Sequence, residues 1–212
     1  AFSISGWFYF DDVTTTQTLI GKYDSSALRG IRVFFAASEL YFDRRNSNSP
    51  DITANIKTNT SPITINTWHN ISVTCSGGTS VSTMKIYVDG VLQTTTTNYD
   101  TLASNTIVNT NNFQISGQDG TNLPFNGKID KVIVYNTDLT AGNVTTIYNY
   151  GRGAGLIGIG NEVSQWEMDT LNPTDEIGSN DGTSTNMDST NIIDPYNNGT
   201  SVNQDETNIN FG

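Results

Sequence analysis

The chain has 212 residues and a mass of 23.0 kDa, enough for one large all-β domain with its own core and some chain to spare. Its net charge of −11 and pI near 4.2 repel phosphate backbones and anionic lipid, which argues against a nucleic-acid partner, and no run of about 18 apolar residues is present to insert into a membrane. Only 15% of residues are charged, and Asn, Thr, Ser and Gly fill much of the polar remainder: turn and strand-surface residues that form helices poorly.

Strand patterns begin at once. Phe2, Ile4, Phe8 and Phe10 alternate with Ser3, Ser5, Trp7 and Tyr9. The same period of two recurs at Ile31, Val33 and Phe35, at Leu40 and Phe42, at Ile71, Val73 and Cys75, and at Met84, Ile86 and Val88. Each reads as a half-buried antiparallel strand. Asp89-Gly90 between Met84–Val88 and Val91–Thr96 predicts a hairpin whose two turn residues both take positive φ. Ser76-Gly77-Gly78, the Gly117 to Gly120 segment and Asn126-Gly127 mark further turns. Val132-Ile133-Val134-Tyr135 is nearly continuous apolar and predicts a central strand covered on both faces. The period then changes, and one short helix is predicted over Ala141–Tyr150, capped by Thr140 and stopped by Gly151. Beyond that point the composition turns glycine-rich, then rich in Asn, Asp, Thr and Ser. Residues 1–151 are therefore expected to form the sandwich, and residues 152–212 an extended arm lying on a neighbour or the start of a further module. No secretory leader pattern opens the sequence, and Ala1-Phe2-Ser3-Ile4-Ser5 reads as mid-strand, as in a piece of something longer.

Phe2-Ser3-Ile4-Ser5-Gly6-Trp7, Leu19-Ile20-Gly21-Lys22-Tyr23-Asp24, Trp68-His69-Asn70-Ile71-Ser72-Val73-Thr74, Met84-Lys85-Ile86-Tyr87-Val88-Asp89-Gly90-Val91 and Phe125-Asn126-Gly127-Lys128-Ile129-Asp130-Lys131-Val132 follow one another in a fixed order. That order resembles the laminin-G-like group of concanavalin A-like jelly rolls over about seventy per cent of the chain. The resemblance implies an antiparallel β-sandwich whose usual first strand, upstream of Phe2, is missing or replaced by the C-terminal segment. Ile177–Thr183 and Thr185–Asn191 resemble linkers of marine bacteriophage structural proteins. The family includes glycan binders, adhesion modules and virion decorations, and shares its sandwich with glucanases, so it implies a fold and leaves the activity to the site.

For an enzyme on such a sandwich, carboxylates are expected at i, i+2 and i+4 along one strand. The nearest match, Glu167-Met168-Asp169 behind Trp166, ends at Leu171 where the third acid should stand. His69 is the sole histidine, Cys75 the sole cysteine, on the face of Ile71 and Val73, and the glycine run at 151–160 lacks a phosphate-binding ending. All read as structural, and no catalytic residue is assigned. Laminin-G-like domains hold calcium at the sandwich rim, so the resemblance implies that Asp24, Asp43, Asp119 and Asn122 are candidate oxygen ligands; the same residues also serve as ordinary turn formers. Tyr41, Tyr99 and Trp166 are candidate sugar platforms, set against cross-strand packing. Sequons such as Asn70-Ile71-Ser72 and Asn143-Val144-Thr145 are what this composition gives by chance. The expectation is a non-enzymatic surface module at a virion surface or outside a cell. It would decorate a capsid or tail fibre by docking onto neighbouring protein subunits or a host glycan. The alternatives are a secreted bacterial adhesion or glycan-binding domain and, last, a glycoside hydrolase.

Overall fold

The computed structural model describes residues 1–48, 51–102, 107–119, 123–153, 155, 158–185 and 208–211. Two antiparallel sheets face each other. The first carries β1 (Phe2–Phe10), β6 (Trp68–Cys75), β7 (Met84–Val88), β8 (Val91–Leu92), β11 (Gly127–Tyr135) and β12 (Glu162–Trp166), in the order β12-β11-β1-β6-β7-β8. The second carries β2 (Gln17–Asp24), β3 (Arg29–Ala36), β4 (Glu39–Asn48), β5 (Asp51–Thr58), β9 (Thr95–Asp100), β10 (Phe113–Ile115), β13 (Gly182–Thr185) and β14 (Asn208–Phe211), in the order β13-β14-β10-β2-β3-β4-β5-β9. This is the expected all-β sandwich.

Alternation builds the core. Ile4, Phe8 and Phe10 of β1 and Ile71, Val73 and Cys75 of β6 meet Val33 and Phe35 of β3 and Leu40 and Phe42 of β4 across the interior. Phe10 packs edge-on against Phe125 at 4.8 Å and Phe35 at 5.4 Å, and Phe8 meets Phe125 at 5.6 Å. Cys75 is fully buried.

The helix α1 (Ala141–Tyr150) begins in a capping box. Thr140 Oγ1 accepts from the Asn143 amide while Asn143 reaches back to the Thr140 backbone, and Gly151 at φ 75° ends it. Val144 and Ile147 lie over Ile133, Tyr135 and Tyr87, so β11 is covered on both faces. Its place is next to the edge, because β12 lies outside it.

The hairpin after β7 turns at Asp89 (φ 52°) and Gly90 (φ 78°), as expected, but its return strand β8 is only two residues long. No apolar residue follows Leu92 until Tyr99 to hold the chain on the first sheet, and β9 crosses to pair with β5. The chain after Gly151 also departs from an arm reaching elsewhere. Strand β12 pairs with β11, Trp166 and Met168 enter the main core, and β13 and β14 extend the second sheet. Of the segment expected to dock on a neighbour, residues 186–207 lie outside the described residues.

Candidate functional site

Strand register collects an aromatic and charged surface on the outer face of the eight-stranded sheet. Along β3 and β4, the residues that alternate with the core strip Val33, Phe35, Leu40 and Phe42 are Arg32, Phe34, Tyr41, Asp43 and Arg45. Register then sets Phe34 beside Tyr41, Arg32 beside Asp43, Tyr41 beside Lys57, Asp43 beside Asn55, and Asn55 beside Tyr99. Three of the chain's ten Lys and Arg residues, Arg32, Arg45 and Lys57, thus share one sheet face.

The face is tied together across strands. Arg32 Nε donates to Asp43 Oδ2 at 2.8 Å and its Nη1 to Gln118 Oε1 at 3.0 Å, while its guanidinium lies over the rings of Phe34 (4.5 Å) and Tyr23 (4.8 Å). Arg45 donates to Thr53 Oγ1 and to the Tyr23 hydroxyl. Phe34 and Tyr41 stack at 4.7 Å with 13° between their planes, both half-buried. The Tyr41 hydroxyl donates to Glu39, which also pairs with Lys57 at 2.8 Å. Burial raises the Tyr41 phenol above its usual value, so it remains a donor at neutral pH. Burial likewise raises the Asp43 carboxyl, against the pull of Arg32 and Arg45. Among the described residues no donor reaches Oδ1 of Asp43 or Oδ1 of Asn55 in good hydrogen-bond geometry, although the Asn55 side chain lies close enough to favour the Asp43 carboxylate.

Tyr41 and Tyr99 therefore share one face, on either side of β5, and Tyr99 is 46% exposed. Trp166 does not join them. It is 3% exposed, stacks on Phe113 at 5.8 Å between the sheets, and donates its indole N–H to the Asn180 carbonyl at 2.8 Å. Its strand adds to the edge of the first sheet and turns the ring inward, which corrects the expectation of an exposed platform. Strand β5, which supplies Asn55 and Lys57, was missed in the sequence, although Ile52, Ala54 and Ile56 alternate there with Thr53, Asn55 and Lys57.

Of the expected calcium ligands, Asp119 is tied to the Asp24 turn, accepting from Ser25, and Asp43 stands outside any turn. Asp43 sits in mid-strand, 2% exposed and bonded to Arg32, rather than in a turn. Asp24 accepts from Ser26 and the Ala27 amide, and these hydrogen bonds lower its pKa, that from Ser26 most. Asp119 accepts from Ser25 and from Asn111 Nδ2. Asn122 lies outside the described residues. Among the described residues no three His, Cys, Asp or Glu side chains converge on a point that would hold a metal ion.

Of the two acids weighed for hydrolysis, Glu167 pairs with the buried Lys131 at 3.2 Å and Asp169 is exposed; on β11, Asp130 pairs with Arg152 at 2.9 Å. Arg152 also covers the Trp68 ring at 4.6 Å. Burial raises the Asp130 and Glu167 carboxyls. The arrangement ties Arg152 and Gly155 to β11. His69 bonds Asp89 at 2.8 Å and the Thr64 backbone, locking the start of β6 to the hairpin turn.

A protein from Bacteroides ovatus proposed to bind carbohydrate has a similar structure (TM-score 0.55, 16% identity), covering 86% of this chain and 51% of that one. The chain thus spans about half the length of that relative. The IT-sialidase CBM40 of Ruminococcus gnavus is also similar (TM-score 0.52, 14% identity), covering 69% of this chain and 82% of its own, and matches again when bound to α2,3 sialyllactose (TM-score 0.51, 15% identity). These likenesses establish the shared fold. No curated protein matches in sequence. Residues 1–145, more than half of the chain, match the family described as Laminin_G_3, and on that match the chain belongs to the concanavalin A-like lectin/glucanases superfamily.

Proposed function

We propose that the protein is a non-catalytic glycan-binding module that reads saccharides on the outer face of its eight-stranded sheet. The observation that carries this is the stacked Phe34–Tyr41 pair flanked by Arg32, Arg45, Lys57, Asp43 and Asn55. With Phe34 and Tyr41 stacked on each other and Arg32 over Phe34, the exposed edges of the pair and the 46%-exposed Tyr99 offer apolar contact to a sugar ring, and the flanking guanidinium, ammonium and amide groups are matched to its hydroxyls. Fold relatives from Bacteroides ovatus and Ruminococcus gnavus support the reading by their own carbohydrate roles. Binding here requires no reacting group, and the ion-paired Glu167 and Asp130 serve as structural ties.

Such a module fits a virion surface or the outside of a cell, where it would present the sheet face to a host or environmental glycan. Docking onto neighbouring subunits through the C-terminal chain has less support, because residues 162–185 pair with or pack on the chain's own sheets. A glycan array followed by calorimetry on the best hit tests the proposal. Binding by the unaltered protein, weakened at least about tenfold in Tyr41→Ala with the fold intact, is expected for a ring and hydroxyl that contact the sugar. No hit, or equal affinity in Tyr41→Ala, refutes it.

A further inference from the structure

A cavity lies away from that face, where the two sheets part between β10 and β12. It encloses about 530 Å3 and lies among Lys22, Asn112, Phe113, Val134, Ser164 and Trp166. The volume falls in the range of small-ligand sites and suits one pyranose with part of a second. Alternation explains its two walls. Phe113 and Val134 turn inward from β10 and β11, and Ser164 and Trp166 from β12, giving a largely apolar floor. Side chains at the mouth are polar. Among the described residues Thr110 and Asn112 make no side-chain hydrogen bond, and both are exposed.

Charge decides which saccharide fits. Among the described residues Lys22 is the only charged one in the lining, in a chain whose net charge is −11. It pairs in register with Ile31, so it points between the sheets, and its Nζ donates to the Asn111 carbonyl at 2.5 Å. One donated bond leaves an ammonium two further N–H donors. An ammonium fixed at the rim of an apolar-floored cavity, with no carboxylate in the lining, is matched to an anion carried on a ring that stacks.

We infer that this cavity is a separate subsite for a carboxylate-bearing pyranose, its ring against Phe113 and Val134 and its carboxylate on Lys22. The subsite stands on different residues from the sheet face and is independent of binding there.

Indole N–H signals supply a local test, because the chain has three tryptophans and only Trp166 lines the cavity. The 15N-labelled protein is titrated with methyl β-D-glucuronide and, separately, with methyl β-D-glucoside, which lacks the carboxylate. The expected result is a saturable shift of the Trp166 indole and the Ser164 amide with the glucuronide, while the Trp7 and Trp68 indoles stay in place. The glucoside binds at least about tenfold more weakly, as does the glucuronide to Lys22→Met, and Lys22→Arg retains binding. Tyr41→Ala leaves this titration unchanged, which separates the subsite from the sheet face. No saturable shift at Trp166, equal affinity for the glucoside, or unchanged affinity in a folded Lys22→Met overturns the inference.

Discussion

Replacing Arg44 with Met should stabilise the protein. Arg44 follows Leu40 and Phe42 on the inner face of β4 and is 2% exposed, so its guanidinium lies between the sheets. Among the described residues only Nη2 is satisfied, donating to the Gly78 carbonyl at 2.9 Å, while Nε and Nη1 have no acceptor. A buried donor without a partner costs about 1–3 kcal/mol. Arg44→Met removes two of them and keeps an unbranched side chain against the core. The bond lost to Gly78 costs little, because that glycine is exposed and water can replace the donor. Net stabilisation of about 1–3 kcal/mol follows, which for a chain of this size raises Tm by roughly 2–12 °C. Urea unfolding followed by tryptophan fluorescence gives the midpoint and slope. A higher midpoint at unchanged slope is expected. Destabilisation by more than about 1 kcal/mol would refute the reasoning and show that Nε and Nη1 have partners worth more than their burial costs.

Phe125 joins Phe8 and Phe10 at the centre of the aromatic core, so Phe125→Ala should cost about 3–5 kcal/mol, and a loss below about 1 kcal/mol by the same urea assay would contradict that packing. Burial depresses the His69 pKa, but the Asp89 carboxylate and the Thr64 backbone outweigh it and raise the net value above 6.5. A raised folded pKa makes a stabilising contribution that is full below the unfolded value and lost as pH rises through the folded one. The urea midpoint should therefore carry a falling component above about pH 6.5 that His69→Gln removes; an identical pH profile in His69→Gln would contradict it.

The sandwich was legible because its core strands obey a period of two and its turns carry residues that tolerate positive φ. Asp89-Gly90 and the Thr140 cap stand where those rules place them. Tyr41 and Tyr99 were visible as surface aromatics, but their sharing one face depends on β5 lying between β4 and β9, and β9 reaches that place only by leaving the hairpin after Leu92. Local sequence holds no signal for such a long-range pairing. Trp166 was misjudged for a related reason. Its segment is too polar to form a core alone, yet one tryptophan on an edge strand suffices to close the sandwich interior beside Phe113. Asp43 likewise reads as a turn residue until the register sets it against Arg32.

The location of a bound saccharide is the most direct test of the account. Backbone amide shifts, mapped while a glycan selected on an array is titrated in, should move together at Phe34, Tyr41, Asn55 and Tyr99. Shifts confined to the outer face of the six-stranded sheet around α1, with the Tyr41 face silent, would contradict it.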